Sequence, residues 1–469
     1  MVCKIPGLLL PTLNTNHLYV ASVGNVQQSA PGASIVVNGN THITTASGTN
    51  VYLTNAANDF NTVTISSNYN DKVFIADGND IVLGDISMDD SSLNVKALGT
   101  ISQIANSNLF VGAGTLQLTA ANVILGGNGS STDLVGVKFY VDFTESIRTN
   151  SSVELRPYTY EGDGSNSVRI RARDSYNDDV TMDLRGLSVI EANVEQRNDD
   201  IIIERIVGTN LTFNSPYIFV TQTGPINLSG GLVWNSYNAV LRHPENDVAT
   251  VQASGGIGMG VFSYVDKNDL TIKNIRTNEE VSVSISSVGP GATIKQANNT
   301  SIDTDYLYLK ADNIILGANG TSSVYAGYLF QVDFDTKFEL NGGWSLRDYF
   351  GQGPFFSVRG TDGPNQFIYG KYAGTGPFSN AGFSAAITID LMGGDDTATF
   401  HSEFLLGGDP SLWGTMELNM GSGNDRVVLN QNMDIPILLG AGADTITRRN
   451  SSITYDVLDF NPVEDVITP

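Results

Sequence analysis

The sequence predicts an all-β chain: a parallel β-solenoid made of two duplicated halves, closing in a short run of glycine loops. Three observations carry this. Short apolar-x-apolar pulses recur at steps of roughly ten residues. A block of about a hundred residues repeats at a nearly constant offset. Three Gly-x-Gly-x-Asp-like loops crowd into the last 85 residues.

The pulses come first. Val51-Tyr52-Leu53, Val63-Thr64-Ile65, Val73-Phe74-Ile75 and Ile81-Val82-Leu83 are followed by Leu93-Asn94-Val95, Leu116-Gln117-Leu118 and Val123-Ile124-Leu125. Asn, Asp, Gly and Ser fill the gaps. Period-two alternation bounded by turn residues is the signature of strands, and no long window carries the 3.6-residue period of an amphipathic helix. Many short, evenly spaced strands suit a sandwich, a barrel or a solenoid.

The duplication narrows that choice. "NDFNTVTI" at Asn58 returns as "NDVATVQA" at Asn246, and "DGNDIVLGDI" at Asp77 as "DKNDLTIKNI" at Asp266. Asn122 in "AANVILGGNGSS" matches Asn313, Val141 of "VDF" matches Val332, and Leu155 matches Leu346. The offsets are 188, 189, 191, 191 and 191 residues. Each half has its own run of pulses, which favours coils stacked on coils over a pair of sandwiches. The divisions expected are an N-terminal cap or extension over 1–40, a first half over 41–229, its duplicate over 230–384, and a calcium-binding segment over 385–469.

Composition excludes several function classes. The chain has 469 residues, with 49 acidic against 25 basic side chains and a net charge of −24. Nucleic-acid binding needs a basic surface, so nucleic acid is not an expected partner. Crowded carboxylates repel unless cations screen or bridge them. The single cysteine, Cys3, permits no internal disulfide and no cysteine-based zinc site. No apolar run reaches membrane-spanning length. The start, "MVCKIPGLLLPTLN", is broken by prolines and does not read as a secretory signal.

"VYLTNAANDFNTVTI", "VFIADGNDIVLGDI" and "LNVKALGTISQ" resemble the coils of filamentous-haemagglutinin-like adhesins and related autotransporter passengers. The resemblance covers about 41 to 130, and more weakly 230 to 320. It implies a right-handed parallel β-helix at a bacterial surface. The N-terminal secretion cap and the membrane barrel of those proteins are not recognised here.

The loops carry the chemistry. "LMGGDDTAT" contains Gly394 and Asp396; "MGSGNDRVV" contains Gly421, Gly423 and Asp425; "LGAGADTIT" contains Gly440, Gly442 and Asp444. Met392 stands where the first copy would have its leading glycine. Glycines let the backbone turn sharply and aim its carbonyls inward. Aspartate adds a hard anionic oxygen. Ca²⁺ takes six to eight such oxygens, more than one loop supplies, so stacked loops would have to share an ion. Asp425 and Asp444 are 19 residues apart, close to one coil with two nine-residue sides. Asp396 and Asp425 are 29 apart, which calls for an insertion in "HSEFLLGGDPSLWG", where Asp409 offers a further loop. "ADGND", ending at Asp80, reads as an ordinary turn.

The pattern resembles the nonapeptide of RTX proteins, whose β-roll binds Ca²⁺. "YDVLDFNPVEDVITP" resembles the closing segment that follows such repeats. The resemblance implies a short terminal β-roll and export by a type I system that reads an uncleaved C-terminal signal.

Catalytic motifs are not found: there is no phosphate loop, Gly-x-Ser-x-Gly elbow or His-Glu-x-x-His. His17, His42, His243 and His401 are scattered singly. In "VRIRARD", Arg169, Arg171 and Arg173 alternate along a strand and share one face. They could grip uronate carboxylates; the plainer reading is a solvated face neutralised by nearby acids. The expectation is therefore an extracellular, calcium-stabilised structural or adhesive protein: a surface-layer, filament or matrix component. Its partners would be itself and cell-surface polysaccharide. The alternatives are a polysaccharide lyase or epimerase, and a phage or virus fibre.

Overall fold

The computed structural model describes residues 2–3 and 7–469, apart from 68, 70, 113, 127–131, 136–137, 151, 156–166, 173–179, 184–186, 190–200, 204–205, 209–210, 255–259, 278–280, 318–319, 347–353, 372–385, 403 and 405–415. Regular structure among these residues consists of parallel strands, each paired with the equivalent strand one coil later. The chain is a β-solenoid. It divides into two compact units, Met1–Ser229 and Gly230–Pro469.

Alternation in the sequence decides which side chains turn inward. In Ser92–Ala97, Leu93, Val95 and Ala97 are buried, while Asn94 and Lys96 point outward. The strand pairs with Lys72–Asp77 on one edge and Thr115–Leu125 on the other. Register places like on like, so an interior column runs Val51, Val73, Leu93, Leu116, Phe139. Each of these is at most 1% exposed. Full burial of such a side chain contributes roughly 1.5–3 kcal/mol, and the column repeats that gain on every coil. Two sequence pulses make up most of one coil, which accounts for their ten-residue step. Residues 7–40 already belong to this stack, since Leu8–Leu10 pairs with Val26–Gln28 and Leu13–Thr15 with Ile35–Thr45.

In the second unit a column descends from Tyr264 through Ile285, Leu309, Val332 and Val358 to Ile389, Leu418 and Ile437. The glycine-loop segment therefore continues the coils of this unit. Its interior is rich in rings: Trp344, Tyr369, Phe400 and Phe404 pack with centroids 4.7 to 6.4 Å apart. The Trp344 indole N–H donates to the Tyr369 hydroxyl at 3.2 Å.

The duplication extends to the corner hydrogen bonds. Asn58 Nδ2 donates to the Leu53 and Ala76 carbonyls, as Asn246 Nδ2 does to those of Leu241 and Val265. Phe60 N–H donates to Asp77, as Val248 N–H does to Asp266. Buried Gln103 and Gln296 accept from the N–H of Gly126 and Gly317. One difference stands out. The duplication makes Leu109 and Ile302 equivalent, and the inward position one coil on holds Asp133 in the first unit but Val324 in the second. Among the described residues no helix is long and apolar enough to cross a membrane.

Candidate metal centre

Asp396, Asp425 and Asp444 stand one above another on three consecutive coils. The strands that follow them pair in register, Thr397 with Arg426 and Arg426 with Thr445. The 29-residue step is thus one coil, as is the 19-residue step. Phe400 and Phe404 match Leu429 and Met433 one for one, so the extra length follows Phe404, in a stretch that, Asp409 included, is outside the described residues.

The loops stack as a continuation of the sheet. Gly393 bridges Ser422, which bridges Ala441. Gly394 N–H donates to Ser422 O at 2.7 Å, and Gly423 N–H to Ala441 O at 2.9 Å. Ser422 N–H donates to Met392 O at 3.2 Å, and Ala441 N–H to Gly421 O at 3.1 Å. Glycine is required by both conformation and space. Gly421 and Gly440 have φ of 95° and 89°, and Gly394, Gly423 and Gly442 have φ of 119°, 147° and 151°. A Cβ on Gly440 would lie 1.6 Å from Gly421 O, and one on Gly442 1.5 Å from Gly423 O. Met392 adopts the left-handed region too, with φ of 72°; for an L side chain this costs about 1–2 kcal/mol.

Inside the loops runs a ladder of carboxylates. Asn365 N–H donates to Asp396 Oδ1 at 2.7 Å, Asp396 N–H to Asp425 Oδ1 at 2.8 Å, Asp425 N–H to Asp444 Oδ1 at 2.8 Å, and Asp444 N–H to Asp465 Oδ1 at 3.2 Å. Asp396, Asp425 and Asp444 are each 1% exposed. In all three, Oδ2 is buried with no hydrogen-bond partner. Burial pushes the Asp396 carboxyl up to about 6, against the pull of the Asn365 N–H and with help from Asp395. Burial likewise pushes Asp425 up to about 7; the Asp396 N–H opposes it, and the charges of Asp396, Asp444 and Asp395 add to it. Asp444 is raised by burial, and Asp465, Asp459 and Glu464 add to the effect. A buried anionic oxygen without a partner is costly, so each rung calls for positive charge, from a proton or a cation.

The donor set suits a hard cation, because it is all oxygen. The loops offer three orphaned carboxylate oxygens, and the carbonyls of Gly394 and Gly423 face the next coil's glycine. It is not a closed cage. The Met392, Gly421, Ser422 and Ala441 carbonyls are already taken by coil-to-coil bonds. No group of three or more His, Cys, Asp or Glu side chains among the described residues converges on one point. A cation here would be shared between rungs, with Asp396, Asp425 and Asp444 supplying the anionic oxygens.

Two rungs escape the Gly-x-Gly-x-Asp pattern. Above Asp396 sits Asn365 in "TDGPN", with Gly363 packed against Gly394 from the same coil. Below Asp444 sits Asp465, whose second oxygen accepts the Asn461 N–H at 2.7 Å. Asp459 accepts from Leu439 N–H at 2.8 Å and Gly440 N–H at 2.9 Å. The "DFNPVED" element thus satisfies the last glycine loop. Its spacing of 21 residues from Asp444 to Asp465 was the available signal. Asp80, in contrast, is exposed and accepts from Thr100 N–H across an ordinary corner.

A family model described as repeats of unknown function (DUF5649) matches residues 7–67 and 70–137. Both stretches lie in the first unit, and the glycine loops lie outside them. No curated protein matches the chain. No solved structure matches it either.

Proposed function

We propose that the chain is a secreted or cell-surface structural or adhesive protein whose C-terminal coils are stapled by Ca²⁺. The observation that carries this is the set of three buried, unpartnered Oδ2 atoms stacked on consecutive glycine loops. When bound, Ca²⁺ supplies the positive charge that offsets their burial and mutual repulsion. The protein's part is to hold and to exclude. Backbone N–H groups fix each carboxylate through Oδ1. The glycines let successive coils approach closely enough to bury the column from water.

A structural role suits the rest of the molecule. Each coil presents outward side chains in register with those of the next, which gives a repeating surface to a second copy or a surface glycan. The calcium step depends on the compartment: extracellular modules bind at roughly 10⁻⁴ to 10⁻³ M, so millimolar calcium would hold the coils together.

The test is thermal unfolding of the full chain in Ca²⁺, Mg²⁺ and EGTA, with electron microscopy of the same samples. Calcium should raise the melting temperature, magnesium much less, and ordered assemblies should dissolve on chelation. An unchanged melting curve in EGTA overturns the calcium reading. Isolated monomers in both conditions overturn self-assembly.

A further inference from the structure

We propose that one outward face of the first unit, across strands Asn50–Leu53, Lys72–Asp77, Ser92–Ala97, Thr115–Leu125 and Lys138–Thr149, docks an anionic polysaccharide of the uronate type. The proposal rests on the adhesive reading above.

Charge is the first argument. Three exposed lysines, Lys72, Lys96 and Lys138, fall on this face of a chain whose net charge is −24. Among the described residues, none of them has a carboxylate partner. Register puts Lys72, Ser92, Thr115 and Lys138 in one column. The column of Ala76, Lys96 and Thr119 ends at Asp142, which is only 4% exposed. Backbone register pairs Tyr140 with Arg169 and Asp142 with Arg171 of "VRIRARD". Arg173 lies outside the described residues.

Spacing selects the polymer. Coils rise about 4.8 Å, so Lys72 and Lys138 are about 14 Å apart, with Lys96 one coil on from Lys72 and about 13 Å to the side along the strand. Duplex DNA carries one charge per ~1.7 Å, far denser than this face can match. A chain with one carboxylate per sugar or two is a closer fit. The central column suits hydroxyls. Asn94 Nδ2 donates to Gln117 Oε1 at 2.9 Å, leaving Asn94 Oδ1 and the Gln117 amide group for a ligand. Beside them the Tyr52 and Phe74 rings stack at 5.4 Å and present apolar edges.

The duplication supplies an internal control. In register, the second unit has Val261, Ser286 and Leu329 where the first has Lys72, Lys96 and Lys138. Its own Lys310 pairs in register with Asp333. The same coils form without the lysines, so the lysines are not there for the fold.

The experiment is retardation of the full chain by immobilised polygalacturonate, with dextran and duplex DNA as comparisons, in low salt and EGTA. Chelation removes calcium bridges between acidic partners. Polygalacturonate should retard the chain and dextran should not. K72Q/K96Q/K138Q should keep its circular dichroism and melting temperature and lose about tenfold or more in affinity. K295Q/K310Q, which removes two exposed lysines from the second unit, should bind normally. Four outcomes overturn the proposal: no retardation, equal retardation by dextran, tighter binding to DNA, or a triple variant that binds as the unmodified chain does. Binding that persists in EGTA while melting ignores calcium overturns the staple and leaves the face standing. A calcium-dependent melt with no polygalacturonate binding does the reverse.

Discussion

The backbone N–H of Asp425 donates to Oδ1 of Asp444 at 2.8 Å, and Oδ2 of Asp444 is left buried without a partner. One carboxylate is thereby split between two tasks. One oxygen holds the coil above, and the other carries charge that nothing in the described protein offsets.

If a cation offsets it, the coils should depend on that cation. At 1 mM calcium, on the order of extracellular levels, and the affinities of extracellular modules, each site adds about 0.4–1.4 kcal/mol. Asp425→Ala should weaken calcium binding, followed by calorimetry, far more than Asp80→Ala. Equal effects would refute the ranking of the loops.

A second carboxylate should show itself through pH. Asp133 is fully buried, and burial raises it to about 6 against the pull of Gln103 and the Leu109 N–H. An acid whose folded pKa is raised binds its proton more tightly when folded. Stability from this group is therefore fullest below about pH 4 and is lost as pH rises through 6. Above that the penalty is on the order of 3 kcal/mol. Urea unfolding at pH 4.5 and 7.5 should show Asp133→Asn gaining relative stability at the higher pH. A pH-independent difference would contradict the buried ionisation.

The glycine columns make an asymmetric prediction. Gly440→Ala places a Cβ 1.6 Å from Gly421 O and should cost more than about 4 kcal/mol, among the largest effects of a single substitution. Met392→Gly relieves a left-handed methionine at φ 72° and should be neutral or stabilise by up to about 1 kcal/mol. Melting temperatures of the two variants decide it.

Asp459 should act locally. Asp459→Ala leaves the part-buried Leu439 N–H and the exposed Gly440 N–H without their acceptor, at a cost of about 1 kcal/mol. Hydrogen exchange should accelerate at these amides and leave Val95 and Leu118 protected. Uniform acceleration would mean that the element supports the whole stack.

Much of this fold was legible because alternation survives in any single strand. Leu93 and Val95 announce an inward face without reference to their neighbours. The Gly-x-Gly-x-Asp loops were legible for a similar reason, since each repeats its own turn chemistry. What the sequence hides depends on register. Asn365 belongs to the Asp396 ladder, but Pro364 and the amide disguise the loop. Lys72, Lys96 and Lys138 are 24 and 42 residues apart, and only the pairing of coils brings them to one face. Asp133 looks like one more surface acid until the strand turns it inward.

The ladder from Asp396 to Asp425 spans 29 residues and that from Asp425 to Asp444 spans 19, yet both rungs close at 2.8 Å. The interior thus counts turns rather than residues. An insertion is tolerated wherever it loops out between two rungs, and a loss is tolerated when it removes one whole period. Removal of the 19 residues from Arg426 to Asp444 would set Asp425 directly over Asp465 and restore the same bond. Removal of half that length would turn the buried side chains of the next strand outward. Such a chain can lengthen or shorten over generations without redesigning its core.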